Sequence, residues 1–361
     1  MSVEFIGLIA TRKASEIHAA EGPAIDRDYV RHFAQAHEAA GFDRVLVAYH
    51  STGPDAFLVT SYAAAVTERI GFMLAHRPGF VEPTLAARKL ATLDQFSGGR
   101  LAVHIISGGD DAEQRRDGDF LGHDERYART DEYLDVLRRI WTSDQSFDHR
   151  GKYYRFEGGF SEVKPAQTPH IPVYFGGASE AAIAVAGRHA DVYALWGETH
   201  DQVREQIARV RAAAKGRPIR FSVSFRPILA ETEEAAWARA DTILERVRAQ
   251  RQAAGLGTGD PKQSEGARRL LAAAEGGDRV DKRLWTAVAR ETGARANTTA
   301  LVGTPEQVAD ALLDYWDLGV TTFLIRGFDP LEDAIDYGRA LIPLTRQLVA
   351  ERLRRRQVKA G

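Results

Sequence analysis

Short apolar runs recur along the chain, each followed by a longer stretch whose apolar residues fall three and four apart. The runs are VEFIGLI, DRVLVAY, RIGFMLAH, RLAVHIIS, IPVYFGG, ADVYALW, IRFSVSF and TTFLIRG. They are continuous rather than alternating, as in parallel strands buried on both faces. The intervening stretches, such as DYVRHFAQAHEAAGF and TLAARKLATLDQFSGG, carry helical spacing. Eight such units in order predict an α/β fold, a TIM (β/α)8 barrel with insertions. An open doubly wound sheet is the alternative, and the count of eight favours closure. The whole chain, 1–361, is expected to form one barrel domain with two interruptions. Residues 144–170 contain FDHRGKYYRFEG, which reads as a hairpin turning near Arg150-Gly151. Residues 251–299 are rich in Gly, Ala and charge. A structureless loop of that length is uncommon in a compact domain and commonly serves as a lid or binding loop.

Composition narrows the function classes. The 361 residues are 44% hydrophobic and carry a net charge of -2, so bulk charge gives no pull towards nucleic acid or anionic membrane. There is no cysteine, which excludes disulfides, thiolate catalysis and cysteine metal sites. The start MSVEFIGLIATRK lacks a leader pattern, and no apolar run reaches the ~20 residues of a membrane span. A cytoplasmic enzyme is expected. The basic tail ERLRRRQVK reads as the last turns of a solvated helix.

Barrel chemistry sits at the C-terminal ends of the strands. Those ends supply Tyr49 and His50; His76 and Arg77; His104 and Ser107; the GGAS of Gly176–Ser179; Trp196 and Glu198; Arg226; and Arg326. Arg226 stands out inside RFSVSFRPILAE, because a buried unpaired ion costs several kcal/mol. It is therefore expected at an open strand end, facing an anion. Arginine suits phosphate, carboxylate or sulfonate through its planar fork. The plainer alternative for each arginine is a salt bridge to a loop carboxylate, and for each histidine a satisfied structural role. No metal site is expected, since no companion carboxylates accompany the histidines. The segment YFGGASEAA places Gly177, Ala178 and Ser179 between a strand and a helix. There, free N–H groups and the helix dipole suit a phosphate, with ordinary tight-turn chemistry as the alternative.

In family order, RPG, AARKLATLDQFSGGR, HDERY, KYYRFEG, YFGGASEAA, VYALWGE, IRFSV, TALVGTPEQVAD and RGFDPLEDA span nearly the whole chain. Together they resemble the bacterial luciferase-like flavin monooxygenases, and within them the FMNH2-dependent alkanesulfonate monooxygenases. The resemblance implies reduced FMN delivered by a separate NAD(P)H-dependent FMN reductase, O2 as co-substrate, and a homo-oligomer, dimer or tetramer. It implies desulfonation of an organosulfonate to sulfite and an aldehyde, a route of sulfur assimilation. By resemblance, Ser107, His123, Tyr127, Gly177, Ala178 and Ser179 would bind the cofactor. Arg226, His104, Trp196 and Arg326 would be catalytic. His50, His76, Trp196, Arg226, Arg295 and Arg326 would line the substrate, with 251–299 as the family's mobile lid.

The chain departs from that pattern in places. Ser224 and Arg226 stand where the sulfonate enzymes usually carry arginine and then histidine. Gly327-Phe328 replaces a Gly-Tyr step, and Gly53 replaces a cysteine. An anion site rebuilt around Arg226 and Arg326, with His50, His76 and Glu198 nearby, points to a polar or sugar sulfonate such as sulfoquinovose. The alternatives are a luciferase-like monooxygenase acting on a sulfone, alkane or aminocarboxylate, a deazaflavin-dependent oxidoreductase, or a non-catalytic flavin-binding barrel.

Overall fold

Strand β1 (Glu4–Ile9) pairs in parallel with β8 (Val320–Ile325), Glu4 opposite Thr322 and Phe5 opposite Phe323, and that pairing closes the sheet. Between them run β2 (Arg44–Val47), β3 (Gly71–His76), β4 (Leu101–Ile105), β5 (Val173–Gly176), β6 (Val192–Trp196) and β7 (Arg220–Phe225), each beside its sequence neighbour. This is the expected eight-stranded barrel, and the closure excludes the open sheet. The computed structural model describes residues 2–256, 264–294 and 297–360. Its contacts group into two compact units. One comprises Met1–Val45, Ala194–Ala208 and Arg220–Gly361; the other comprises Leu46–Tyr193 and Arg209–Ile219.

In the first unit, strand alternation sorts the side chains. The Phe225 ring lies 4.8 Å from Tyr315 on helix Pro305–Asp317, so Phe221, Val223 and Phe225 face the helices. Ser222 and Ser224 therefore lie on the inner face, beside Thr322 and Leu324 of β8. Arg226 and Arg326 continue those inner rows. On β1, Gly7 faces helix Arg27–Ala39, where a Cβ would stand 2.2 Å from the His37 ring.

The described part of 251–299 differs from the expected structureless loop. It holds the end of helix Glu233–Ala253, helix Glu265–Glu275, a hairpin of Arg279–Val280 with Leu284–Trp285, and helix Ala287–Thr292. Leu284–Trp285 pairs antiparallel with Ala300–Gly303, which pairs parallel with Ile228–Leu229. Buried apolar residues explain the order: Trp285 and Val288 pack with Ile17, Ile228, Ile243 and Phe328.

In the second unit, Phe147–Arg150 pairs antiparallel with Arg155–Gly159, and Gly151 N donates to Tyr154 O at 2.9 Å, so the hairpin turns where the sequence places it. Glu132 of helix His123–Thr142 fixes that turn, accepting from Tyr153 N (3.0 Å), Tyr154 N (2.9 Å) and His149 Nε2 (3.0 Å). The return to β5 is anchored by Asp94, fully buried on helix Pro83–Phe96. Asp94 accepts from Ala166 N (2.8 Å), Gln167 N (3.2 Å) and Gln167 Nε2 (2.7 Å). Asp94→Ala strands these donors. It is expected to cost about 1–3 kcal/mol, seen as a lower urea midpoint with an unchanged slope.

Candidate active site

The second unit brings together two motifs that are distant in sequence. His123 opens helix His123–Thr142, half-exposed, bonded to Asp124 (2.7 Å) and set edge-on to the Tyr127 ring at 4.9 Å. Tyr127 is buried, and its hydroxyl bonds to Ser179. Burial pushes that phenol up; the Ser179 bond works in the opposite direction. Gly177 has φ +130°, and a Cβ there would lie 2.8 Å from the Tyr127 hydroxyl and 2.8 Å from the Ala182 methyl. Tyr193 donates its hydroxyl proton to the Gly177 carbonyl. Ala178 follows, half-buried, and Ser179 Oγ accepts from Ala182 N at 3.2 Å, capping helix Glu180–His189. The first-turn N–H groups of a helix have no intrahelical acceptor and favour an anion. The neighbouring Glu180 carboxylate is paired with Arg209. A glycine step that a Cβ would fill, at a helix N-terminus flanked by a hydroxyl and a phenol, fits the phosphate of FMN.

Close by in sequence, Ser107 lies just beyond β4 with its Oγ 2.9 Å from Thr130 Oγ1. His104 is on the inner face of β4, opposite Ala75 and Tyr174, and its Nδ1 has no partner among the described residues. Burial pulls it down to about 4. His76 is placed differently from the expectation. It points towards the helices, bonds Tyr133 Oη at 2.6 Å and is 3% exposed, because alternation turns Ala75 and Arg77, not His76, inward. Burial, then the Lys89 ammonium, pulls it down to about 3. A cavity of about 210 Å³ adjoins it, lined by Tyr49, Phe57, Arg77, Phe80 and Lys89 among others. His50 is exposed, 3.4 Å from the Glu113 carboxylate, which also takes Arg77 Nη2 at 2.8 Å. Burial would raise Glu113, but the Arg77 hydrogen bond and the Ser51 N–H hold it below the usual range.

In the first unit, Arg226 corrects the expectation of an open strand end. It has 0% exposure and already has its anion. Nη1 lies 2.7 Å from Glu16 Oε1, Nη2 donates to Gly327 O at 2.8 Å, and Cζ stacks 3.6 Å over the Phe328 ring. Phe328 is the aromatic face under the guanidinium. Burial, then the charge of Arg326, lowers Arg226 to about 10, against the pull of Glu16. Arg326, 23% exposed at its side chain, shares the same Glu16 oxygen at 2.9 Å. Burial alone would raise the Glu16 carboxyl, but the two arginines hold it well below the usual carboxylate range. Glu16 Oε2 and both Asn297 side-chain amide atoms are buried with no hydrogen-bond partner among the described residues, and the Asn297 backbone carbonyl accepts from Arg326 at 3.4 Å. Trp196 ends β6, half-buried. Glu198 is tied to Arg269 at 2.8–3.0 Å, and burial still pushes its carboxyl up despite that partner. Arg295 lies outside the described residues.

Arg77, Arg226 and Arg326 are thus each paired with a glutamate, the salt-bridge alternative for these arginines. Glu16 and Glu113, which the sequence reading missed, come from connecting loops and helix starts with no motif of their own. Among the described residues, Asp131, Asp135 and His189 could converge on a cation, but Arg188 and His189 already pair with Asp131.

Glu16→Gln leaves two arginines without a counter-charge. It is expected to cost about 3 kcal/mol, the low end for breaking a buried pair. Because the folded pKa lies below the unfolded 4.5, the gap in urea stability from wild type holds from pH 7 to about 5 and closes on further acidification. The buried neutral His37, His76 and His104 have folded values of about 4, 3 and 4, below the unfolded 6.5. Unfolded chain therefore takes up protons first, and urea midpoints should fall as pH drops from 6.5 to about 4. His76→Gln should flatten part of that slope.

The fold is a closed (β/α)8 barrel with a glycine step leading into a capped helix N-terminus after its fifth strand. The luciferase-like monooxygenase family model matches residues 3–322, and the chain belongs to that family. Among solved structures, the chain is similar to a riboflavin lyase with modified FMN and riboflavin (TM-score 0.77, 21% identity, covering 96% of this chain and 92% of that one). It is also similar to the EDTA monooxygenase of Chelativorans sp. BNC1 (0.76, 20%, 96% and 94%). A third is monooxygenase RslO1 from Streptomyces bottropensis (0.66, 25%, 94% and 99%).

Proposed function

We propose that the protein is a two-component monooxygenase. It would take reduced FMN from a separate NAD(P)H-dependent reductase and use O2 to cleave the C–S bond of an organosulfonate, releasing sulfite and an aldehyde. Reduced FMN would supply the two electrons that activate O2, one oxygen atom ending in the aldehyde and the other in water. Ser107, His123, Tyr127, Gly177, Ala178 and Ser179 would hold the cofactor.

The observation that carries the substrate class is the charge of the Arg226–Glu16–Arg326 cluster. Two arginines share one carboxylate, two positive charges against one negative, which leaves one positive charge in surplus. Arg326, the more exposed arginine, would pair with a monoanionic sulfonate. Arg226 would act by charge and by holding Glu16, since it remains protonated at neutral pH. Glu16 Oε2 and the Asn297 amide, without partners among the described residues, suit substrate hydroxyl groups, which supports a polar sulfonate such as sulfoquinovose over a plain alkyl chain. Trp196 would wall the substrate. His104, neutral at pH 7, would position a reacting group by hydrogen bonding rather than act as a cationic acid. The same surplus charge accepts a carboxylate, and an aminocarboxylate substrate is the second reading.

The test is sulfite release under air with FMN, NADPH and an unrelated flavin reductase, offering octanesulfonate, methanesulfonate, taurine and sulfoquinovose. Sulfite is expected only when the reductase is present, with sulfoquinovose preferred. Arg326→Ala should raise KM at least about tenfold, the equivalent of 1.4 kcal/mol of binding. No sulfite from any of the four would sink the sulfonate reading and favour the aminocarboxylate.

A further inference from the structure

The end of β6, Trp196-Gly197-Glu198, is fixed from several sides. Gly197 O accepts from Thr299 Oγ1 at 2.7 Å, and a Cβ on Gly197 would lie 2.5 Å from the Phe225 ring. Glu198 O accepts from Tyr315 Oη at 2.9 Å, while its carboxylate takes Arg269 through both Nε and Nη2. Arg269 belongs to helix Glu265–Glu275, and that helix is locked a second time. Gln202 Nε2 donates to Arg269 O at 2.9 Å, and Arg269 Nη2 donates to Gln202 O at 3.0 Å.

This docking lays the second residue of the helix, Gly266, against the indole of Trp196. A Cβ at 266 would stand 3.2 Å from Cζ3, 3.3 Å from Cε3 and 3.5 Å from Cη2. Trp196 packs there with the buried Ala267, Leu270, Ala289 and Ala294. Trp196 and Ala194 keep partly exposed surface, whereas Leu195 between them is buried, so the indole projects from the inner face of the strand. Glycine is a poor helix former and alanine the best. Helical propensity therefore gives no reason for glycine at 266; the indole does.

We propose that Gly266 is a specificity-determining residue. By offering no side chain, it lets the Trp196 indole lie back on the helix, and so sets how long a carbon chain the substrate can carry behind its sulfonate. This rests on the reading that Trp196 walls the substrate. A methyl at 266 requires the indole to give by a few tenths of an ångström, and a valine requires more. The helix does not retreat instead, because the buried Arg269–Glu198 pair and the packed Ala267 and Leu270 hold it.

The test combines a structural readout with a chain-length profile. Protein labelled with 5-fluorotryptophan gives 19F signals for its 5 tryptophans, with Trp196 assigned by its loss in Trp196→Phe. Gly266→Ala, which favours the helix, and Gly266→Val should move the Trp196 signal progressively and leave the others in place. Across linear sulfonates of increasing length, Gly266→Val should lose at least tenfold in kcat/KM on the longest chain that wild type accepts and keep the shortest. Adding Trp196→Phe should restore the long chain. A Trp196 signal unmoved by either substitution, or a length profile parallel to wild type, would overturn the proposal. Should wild type release no sulfite from the series, the functional reading falls by itself. The role of Gly266 is then decided by titrating the same sulfonates against the 19F signals: a length limit shorter in Gly266→Val supports it, and an unchanged limit refutes it.

Discussion

A guanidinium with no access to water must carry its own counter-charge, and much of the first unit is arranged around that requirement at Arg226. The counter-charge comes from Glu16, in the connection between β1 and the first helix, and its delivery orders that connection. Ile17 joins the apolar cluster around Trp285 and Phe328, and His18 lies 2.5 Å from Asp329. Asp329 and Asp333 in turn hold Arg239. The loops after β1 and β8 are thus tied to each other and to helix Glu233–Ala253 by polar contacts that begin beside one buried side chain. Gly327 fits the same scheme: its carbonyl accepts from Arg226, and a Cβ there would collide with Asp333 at 2.0 Å.

The second unit solves a different problem, passing a backbone turn close to a buried phenol. Its answer is mostly steric. Gly177 lets the chain pass close to Tyr127, and Tyr193 holds the carbonyl of that step. Glu132, on the same helix as Tyr127 and Thr130, collects the hairpin turn, so one helix positions both the cradle and the insertion. Where the first unit balances charge against charge, this region relies on the absence of a Cβ and on hydroxyl contacts.

The barrel was legible because strands buried on both faces write themselves as unbroken apolar runs, and all eight runs are strands. The hairpin at 144–170 was legible from its alternation around Arg150-Gly151. The meeting of HDERY with YFGGAS was expected from family resemblance, and Tyr127 and Gly177 do meet. What stayed hidden was tertiary pairing. Nothing local in KASEIHAAEG marks Glu16 as the partner of two arginines more than two hundred residues away, so Arg226 read as an open cation. His76 was misplaced by one step of strand alternation, since rim and helix layer differ by a single residue. The order within 251–299 was obscured by glycine and charge between short elements whose apolar partners lie elsewhere in the chain.

The electrostatic settings of the buried groups have a kinetic consequence. Glu16 ionises far below neutrality, His104 at about 4, His76 at about 3 and Arg226 at about 10. Between about pH 5 and 9, none of these four changes its charge. These four buried side chains therefore keep a fixed charge across the physiological range, indifferent to the acidity of their surroundings. An inflection in a pH–rate profile within that window reports another group, such as a bound molecule, a solvent-exposed side chain or the Glu198 carboxyl that burial pushes up.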